Sequence, residues 1–217
     1  MEGGRLVVAS GPGDHKGDSN PGNASMRDAV SVLSDWSNFL VIAGSSAAGL
    51  TGLMFVVIAL VAGLERREQT SDGIATFSTP TVVHFSVALI IAASLSAPWR
   101  SLVDAGILIG LIGAFGVVYV LFTALKTTRQ QVYVTRFEDW VWYTLLPLLA
   151  YVAVVANAFL LPSFPTKALF ALAGAMLLLI VTGIHNAWDI VTYIALFGLD
   201  PSPESTSTKA TGRAAKR

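Results

Sequence analysis

The 217-residue chain contains no cysteine, and only 13% of its residues are charged. The absence of cysteine excludes disulfides, thiolate metal ligands and cysteine nucleophiles. A soluble domain carries about 25% charged residues, so this chain has too few charges to cover a water-facing surface. Its formal net charge is zero, which leaves no electrostatic footprint for nucleic acid. Residues 1–35 are polar rather than apolar, so no cleavable signal peptide is predicted and the first membrane helix would direct targeting.

Five apolar runs are separated by short polar segments. Runs of about 18 residues or more are long enough to cross a bilayer core of about 30 Å. The sequence therefore predicts an all-α integral membrane bundle of five transmembrane helices in contact with lipid. The predicted bounds are about 38–64, 80–97, 102–125, 140–161 and 168–199, within a transmembrane domain over 36–199. Residues 1–35 are predicted to be a disordered polar tail with a short helix near its end, and 200–217 a second disordered tail.

Proline residues predict two local features of these helices. Thr79 and Pro80 have the residue types of a helix cap and a first helical position, so helix 2 is expected to begin there. Pro147 lies inside the fourth apolar run, where the missing backbone N–H predicts a kink.

Lysine and arginine residues predict the orientation. With five crossings, nine of them lie on the side of the C-terminus and five on the side of the N-terminus. Cytoplasmic segments carry the excess of these residues, so we expect the N-terminus outside and the C-terminus inside.

Small residues recur at helical spacing in two of the runs. One stripe comprises Gly44, Ala48 and Gly52, and the other comprises Gly106, Gly110 and Gly113. Such stripes let helix backbones approach closely in lipid. They favour packing inside one chain, and the alternative is an interface in a homo-oligomer or with another membrane protein.

Ionisable residues in membrane helices are expensive and need a reason. His185 lies about 26 Å along helix 5 from Ala168, and His84 about 6 Å inward from Pro80, so both are expected near the inner surface. His185 and Asp189 share one helix face. With His84 they are a candidate site for an ion, a proton or a metal. Alternatively, Trp188 and Asp189 mark where helix 5 leaves the bilayer. Asn157 and Asn186 are further intramembrane polar residues, and Asn157 is expected to bridge helices.

The stretch Gly49-Leu50-Thr51-Gly52-Leu53-Met54-Phe55-Val56-Val57 resembles the first helix of a loose group of bacterial multi-pass membrane proteins of unknown activity. The resemblance implies a location in a bacterial inner membrane, and it transfers no functional residue.

Three functions are compatible with these features. The first is an oligomeric channel or another transport-related protein, suggested by the small-residue stripes and the His/Asp residues. The second is a structural or regulatory membrane partner that binds through the stripes. The third is a membrane-embedded metal-dependent enzyme. No catalytic motif is present, and the sequence identifies no cofactor.

Overall fold

A computed structural model describes residues 31–65, 71–129 and 140–197. These segments form helices and no strand. The helices are α1 (Ser37–Glu65), α2 (Ser71–Leu95), α3 (Leu102–Arg129), α4 (Leu146–Leu160) and α5 (Pro165–Phe197), and a π-helical turn, Val141–Leu145, leads into α4. Of the predicted N-terminal tail over 1–35, residues 31–35 are helical. Residues 1–30 and the predicted C-terminal tail over 200–217 lie outside the described residues.

Four of the described segments are long and apolar enough to cross a membrane: Ser37–Ala59, Leu102–Lys126, Val141–Leu160 and Pro165–Thr192. The all-helical class is therefore confirmed, and these segments are compatible with a multi-pass membrane protein, whereas five crossings stay a prediction. In α2, the apolar part among the described residues is shorter and comprises Pro80–Leu95. Large apolar side chains such as Val41, Phe55, Phe115 and Phe159 point outward and are more than half exposed, as expected of a surface that faces lipid.

Helix α2 packs mainly against α1 and α5, while α4 packs against both α5 and α3. Phe85, Ala88 and Ile91 of α2 are almost completely buried. A polar side chain on this buried face of α2 is therefore shielded from water. Its hydrogen-bond partners must come from neighbouring helices or from a bound ligand.

The start of α2 differs from the sequence-based prediction. The helix begins at Ser71, so Pro80 lies inside it and is buried rather than first in the helix. The interpretation of Thr79 as the cap is therefore wrong. Membrane helices tolerate an internal proline where neighbouring groups compensate for the missing backbone bond.

The π-helical turn marks the irregularity expected near Pro147. Proline has no N–H to donate to the carbonyl four residues earlier. Just before it, the Leu146 N–H donates instead to the Val141 carbonyl, five residues back. This wider turn sets the direction in which Trp142 leaves the helix.

Candidate functional site

The buried polar residues of α2 lie in the first turns of its apolar part. Thr81 is completely buried and His84 is 1% exposed. The His84 Nδ1 atom lies 2.8 Å from the Tyr151 hydroxyl oxygen of α4, at hydrogen-bond distance. The other ring nitrogen, Nε2, is buried and has no hydrogen-bond partner among the described residues. His84 is thus held at one nitrogen and open at the other.

Tyr151 is positioned by the close contact of α3 and α4. Its ring lies against Gly116, where any side chain would overlap the ring atoms. Tyr119 lies one turn further along α3. The glycine therefore allows the Tyr151 ring to pack against α3 while its hydroxyl meets His84.

Helix α5 faces this region with a second pair of buried polar residues. Thr182 and Asn186 are both completely buried, and they share a face because they are four residues apart. The Thr182 hydroxyl and both polar atoms of the Asn186 amide have no hydrogen-bond partner among the described residues. Burial without a partner is unfavourable by about 1–3 kcal/mol for each polar group.

The α2 and α5 residues lie at the same level of the bundle. The Phe85 ring packs directly against Gly183. Because a helix advances 1.5 Å per residue, His84, Thr182 and Asn186 all lie within about 5 Å of that contact along the axis. We refer to Thr81, His84, Tyr151, Thr182 and Asn186 as the polar cluster.

His185 and Asp189 form a separate and more exposed pair. His185 Nδ1 lies 3.3 Å from the nearer Asp189 carboxylate oxygen, and the side chains are 31% and 44% exposed. The Trp142 ring stacks on the His185 imidazole with 3.8 Å between centroids and 4° between planes. Trp142 belongs to the π-helical turn, so this irregular turn covers one face of the histidine.

The predicted site of His84, His185 and Asp189 is not assembled as a metal centre. His185 and Asp189 are in contact, whereas His84 contacts Tyr151 instead. Within the part of the chain that the structure describes, no three His, Cys, Asp or Glu side chains form a group able to hold a metal ion. Asn186 is next to His185 in sequence but is buried, so it connects the exposed pair to the polar cluster.

Asn157 does not bridge helices through its amide nitrogen. Its Nδ2 donates to the Ala153 carbonyl of the same helix at 2.8 Å. Its Oδ1 is buried and has no partner among the described residues. The amide nitrogen of Asn157 therefore forms a hydrogen bond within α4 instead of the expected bond between helices.

The two small-residue stripes have different environments. A Cβ at Gly106 would lie 2.8 Å from the Ala158 carbonyl oxygen, and one at Gly110 would lie 2.7 Å from Ala158 Cβ. Gly113 lies equally close to Val154 and Val155. The α3 stripe therefore packs against α4 within the chain, and the sequence analysis missed Gly116 as its continuation.

On α1, only the first member of the stripe meets a neighbour. Gly44 faces Ala92 of α2, with a Cβ-to-Cβ separation of 3.0 Å if a side chain were added. Ala48 and Gly52 are exposed, and a Cβ at Gly49 or Gly52 would contact nothing within 4 Å.

Four residues in or beside the candidate site were not predicted from the sequence as part of it: Thr81, Tyr151, Thr182 and Trp142. Thr81 precedes His84 by three residues and Thr182 precedes Asn186 by four, so helical spacing was a usable signal for both. Tyr151 carried no such signal, because its partner lies on another helix. Comparison with protein-family models, with curated proteins and with solved structures found no match.

Proposed function

We propose that this chain is a transport-related multi-pass membrane protein, and that the polar cluster receives the species that is transported or that drives transport. The buried and unpartnered polar atoms of Thr81, His84, Thr182 and Asn186 support this proposal. In a membrane bundle, polar groups that only stabilise the fold bond to one another or to the backbone. These atoms are left available for a ligand between two packed helices.

In this proposal α2 crosses the membrane as a fifth helix, and the chain lies with its N-terminus outside and its C-terminus in the cytoplasm. The distribution of lysine and arginine supports this orientation. The polar cluster then lies in the cytoplasmic part of the bundle, within reach of the His185–Asp189 pair. The resemblance of the first helix supports a bacterial inner membrane as the location.

Reconstitution into liposomes tests the proposal directly. Purified protein would be assayed for movement of protons, sodium, potassium, chloride and small neutral solutes. We expect at least one of these to move, and we expect Asn186→Leu to reduce its flux. Ser46→Ala is the matched control, because Ser46 is exposed on α1. Absence of any flux, or equal flux in both variants, would contradict the proposal.

A second candidate function is suggested by the open part of the α1 stripe. Ala48, Gly49 and Gly52 are exposed small residues, and a Cβ at Gly49 or Gly52 would contact nothing within 4 Å among the described residues. This surface favours a structural or regulatory role in which α1 packs against a second copy or another membrane helix. If α1 packs against a second copy of the chain, the protein would be an oligomeric channel or transporter.

Subunit composition tests this second candidate. Gly49→Ile is expected to reduce the oligomer or complex observed by native mass spectrometry from membranes. Gly174→Ile is the control, because Gly174 is the equivalent open glycine on α5. Unchanged assembly in Gly49→Ile would remove α1 as the interface.

A further inference from the structure

The polar cluster contains no formally charged side chain. Among the described apolar segments, Ser37–Ala59 of α1 carries no titratable residue, and Pro80–Leu95 of α2 carries only His84. The segments packed around them carry titratable groups at both ends of the bundle. Near the cluster end these are Tyr119, Lys126, Tyr143, Tyr151, His185 and Asp189, and at the opposite end Asp104 and Lys167.

This inventory limits the species that the cluster could bind. Divalent cations such as Ca²⁺ and Mg²⁺ are bound by several oxygen ligands that usually include carboxylates, and the described residues contain no group of three His, Cys, Asp or Glu side chains that could hold a metal ion. A buried anion needs a basic partner, whereas Lys126 and Lys167 are exposed. A proton needs only one lone pair, and the imidazole of His84 offers one.

The buried surroundings of His84 contain oxygen acceptors that a protonated ring could use. Both nitrogens of an imidazolium are donors. Nδ1 already lies 2.8 Å from the Tyr151 oxygen. Three buried oxygens without a partner among the described residues lie near the level of Nε2: Thr81 Oγ1, Thr182 Oγ1 and Asn186 Oδ1. A neutral imidazole has only one N–H donor, so it can donate to fewer of these oxygens than an imidazolium can.

We propose that the species is a proton and that His84 binds it, between Tyr151 and the unpartnered oxygens of α2 and α5. This inference rests on the proposed transport function and names its substrate. The step is a simple protonation: a hydronium ion gives one proton to the ring nitrogen that lacks one, leaving water, and the imidazolium later returns a proton to water. No electron is transferred, and the His84 ring gains one positive charge on protonation and loses it on release of the proton.

The exposed pair provides the route to water. His185 and Asp189 lie where α5 approaches the end of its membrane segment, and both are partly exposed. Asn186 follows His185 in the chain and is completely buried. A proton that reaches His185 is thus within one helical turn of the amide that faces the α2–α5 contact.

Proton flux in liposomes with an internal pH indicator is the main test, driven by a potassium diffusion potential. We expect His84→Gln to reduce the flux about tenfold or more, which corresponds to about 1.4 kcal/mol in the barrier. Ile91→Leu is the control, because Ile91 is buried on the same helix outside the cluster. Tyr151→Phe should give a smaller loss, since it removes only the partner of Nδ1.

Nitrogen NMR of histidine-labelled protein in liposomes provides a readout that does not depend on transport. The chain has three histidines, which His84→Gln and His185→Gln assign by loss of signal. We expect His84 to become an imidazolium as the pH is lowered, and Tyr151→Phe to shift the pH of that change. A His84 ring that stays neutral throughout would overturn the inference.

The outcomes separate the inference from the proposed function. Proton flux that falls in His84→Gln supports both. Flux of another ion or solute that depends on Asn186, with no proton flux, overturns the proton assignment and leaves the transport function standing. Proton flux that is unchanged in His84→Gln also overturns the assignment. No flux of any species overturns the transport function itself.

Discussion

The α3–α4 and α2–α5 interfaces solve the same packing problem with different chemistry. Between α3 and α4, four glycines let the backbones approach, and the groups they meet are the Ala158 backbone, small apolar side chains and the Tyr151 ring. Between α2 and α5, one glycine receives the Phe85 ring, and buried polar atoms beside it have no partner among the described residues. The α3–α4 interface is thus closely packed, whereas the α2–α5 interface contains buried polar atoms that are available to a ligand.

This difference predicts that the α3–α4 interface determines stability and that the α2–α5 interface determines transport. Substitutions at the α3–α4 contact should change the free energy of unfolding strongly. Substitutions of the unpartnered polar groups between α2 and α5 should change stability little, or even raise it, while they change transport.

Gly116→Ala is expected to have the largest effect. The new Cβ would overlap the Tyr151 ring, and overpacking of this kind lowers the unfolding free energy by about 1–3 kcal/mol. Gly174→Ala is the matched control, because the same change there meets open space and should stabilise the helix by up to about 1 kcal/mol. Reversible unfolding in detergent measures both. Equal effects in the two variants would show that α3 and α4 are not in close contact.

Tyr151→Phe should have an intermediate effect on stability. It removes the hydroxyl that lies 2.8 Å from His84 Nδ1, and a hydrogen bond between membrane helices contributes about 0.6–2 kcal/mol. The comparison variant is Tyr119→Phe, which leaves the His84 contact in place. The same unfolding assay should give a smaller loss for Tyr119→Phe. If the order were reversed, the His84–Tyr151 contact would not link α2 to α4.

Thr182→Val should leave stability unchanged or increase it by about 1 kcal/mol. The exchange keeps the shape and removes a buried hydroxyl that has no partner among the described residues, and replacing such a group by an apolar one can be stabilising. Thr51→Val is the control, because the Thr51 hydroxyl donates to the Ala47 carbonyl at 2.8 Å. A clear loss of stability in Thr182→Val would mean that this hydroxyl has a structural partner.

The coupling between His185 and Asp189 should be the smallest of these energies. Their separation is 3.3 Å and both side chains are partly exposed, and an i,i+4 pair of this kind contributes about 0.2–0.5 kcal/mol. A double-mutant cycle with His185→Gln and Asp189→Asn measures it. A coupling above about 1 kcal/mol would place the pair in the low-dielectric interior with the polar cluster.

The sequence was sufficient for the class of fold, because the length and apolar character of the helices follow from the local sequence. Four described helices meet that criterion. The α3 stripe was recognised from its spacing, although not the partner helix. The start of α2 was mispredicted because Thr79 and Pro80 satisfy the local rules for a helix start. Whether a helix continues through a proline depends on neighbours that a local rule does not contain.

The candidate site was only partly accessible from the sequence. His84, His185, Asp189 and Asn186 were identified because polar residues are conspicuous in apolar runs. Their partners were not, because the His84–Tyr151 contact joins residues 67 positions apart. The stacking of Trp142 on His185 depends on a π-helical turn, whose rotation of the side chain cannot be read from helical spacing of 3.6 residues per turn. Long-range contacts of this kind require the folded arrangement.

The start of α2 has a consequence for the surrounding lipid. The helix begins at Ser71, whereas its apolar run begins at Pro80. If α2 crosses the membrane as proposed, the depth of this boundary depends on the thickness of the surrounding bilayer. Activity should therefore depend on acyl-chain length. In this way the lipid composition would control how far the start of α2 lies from water.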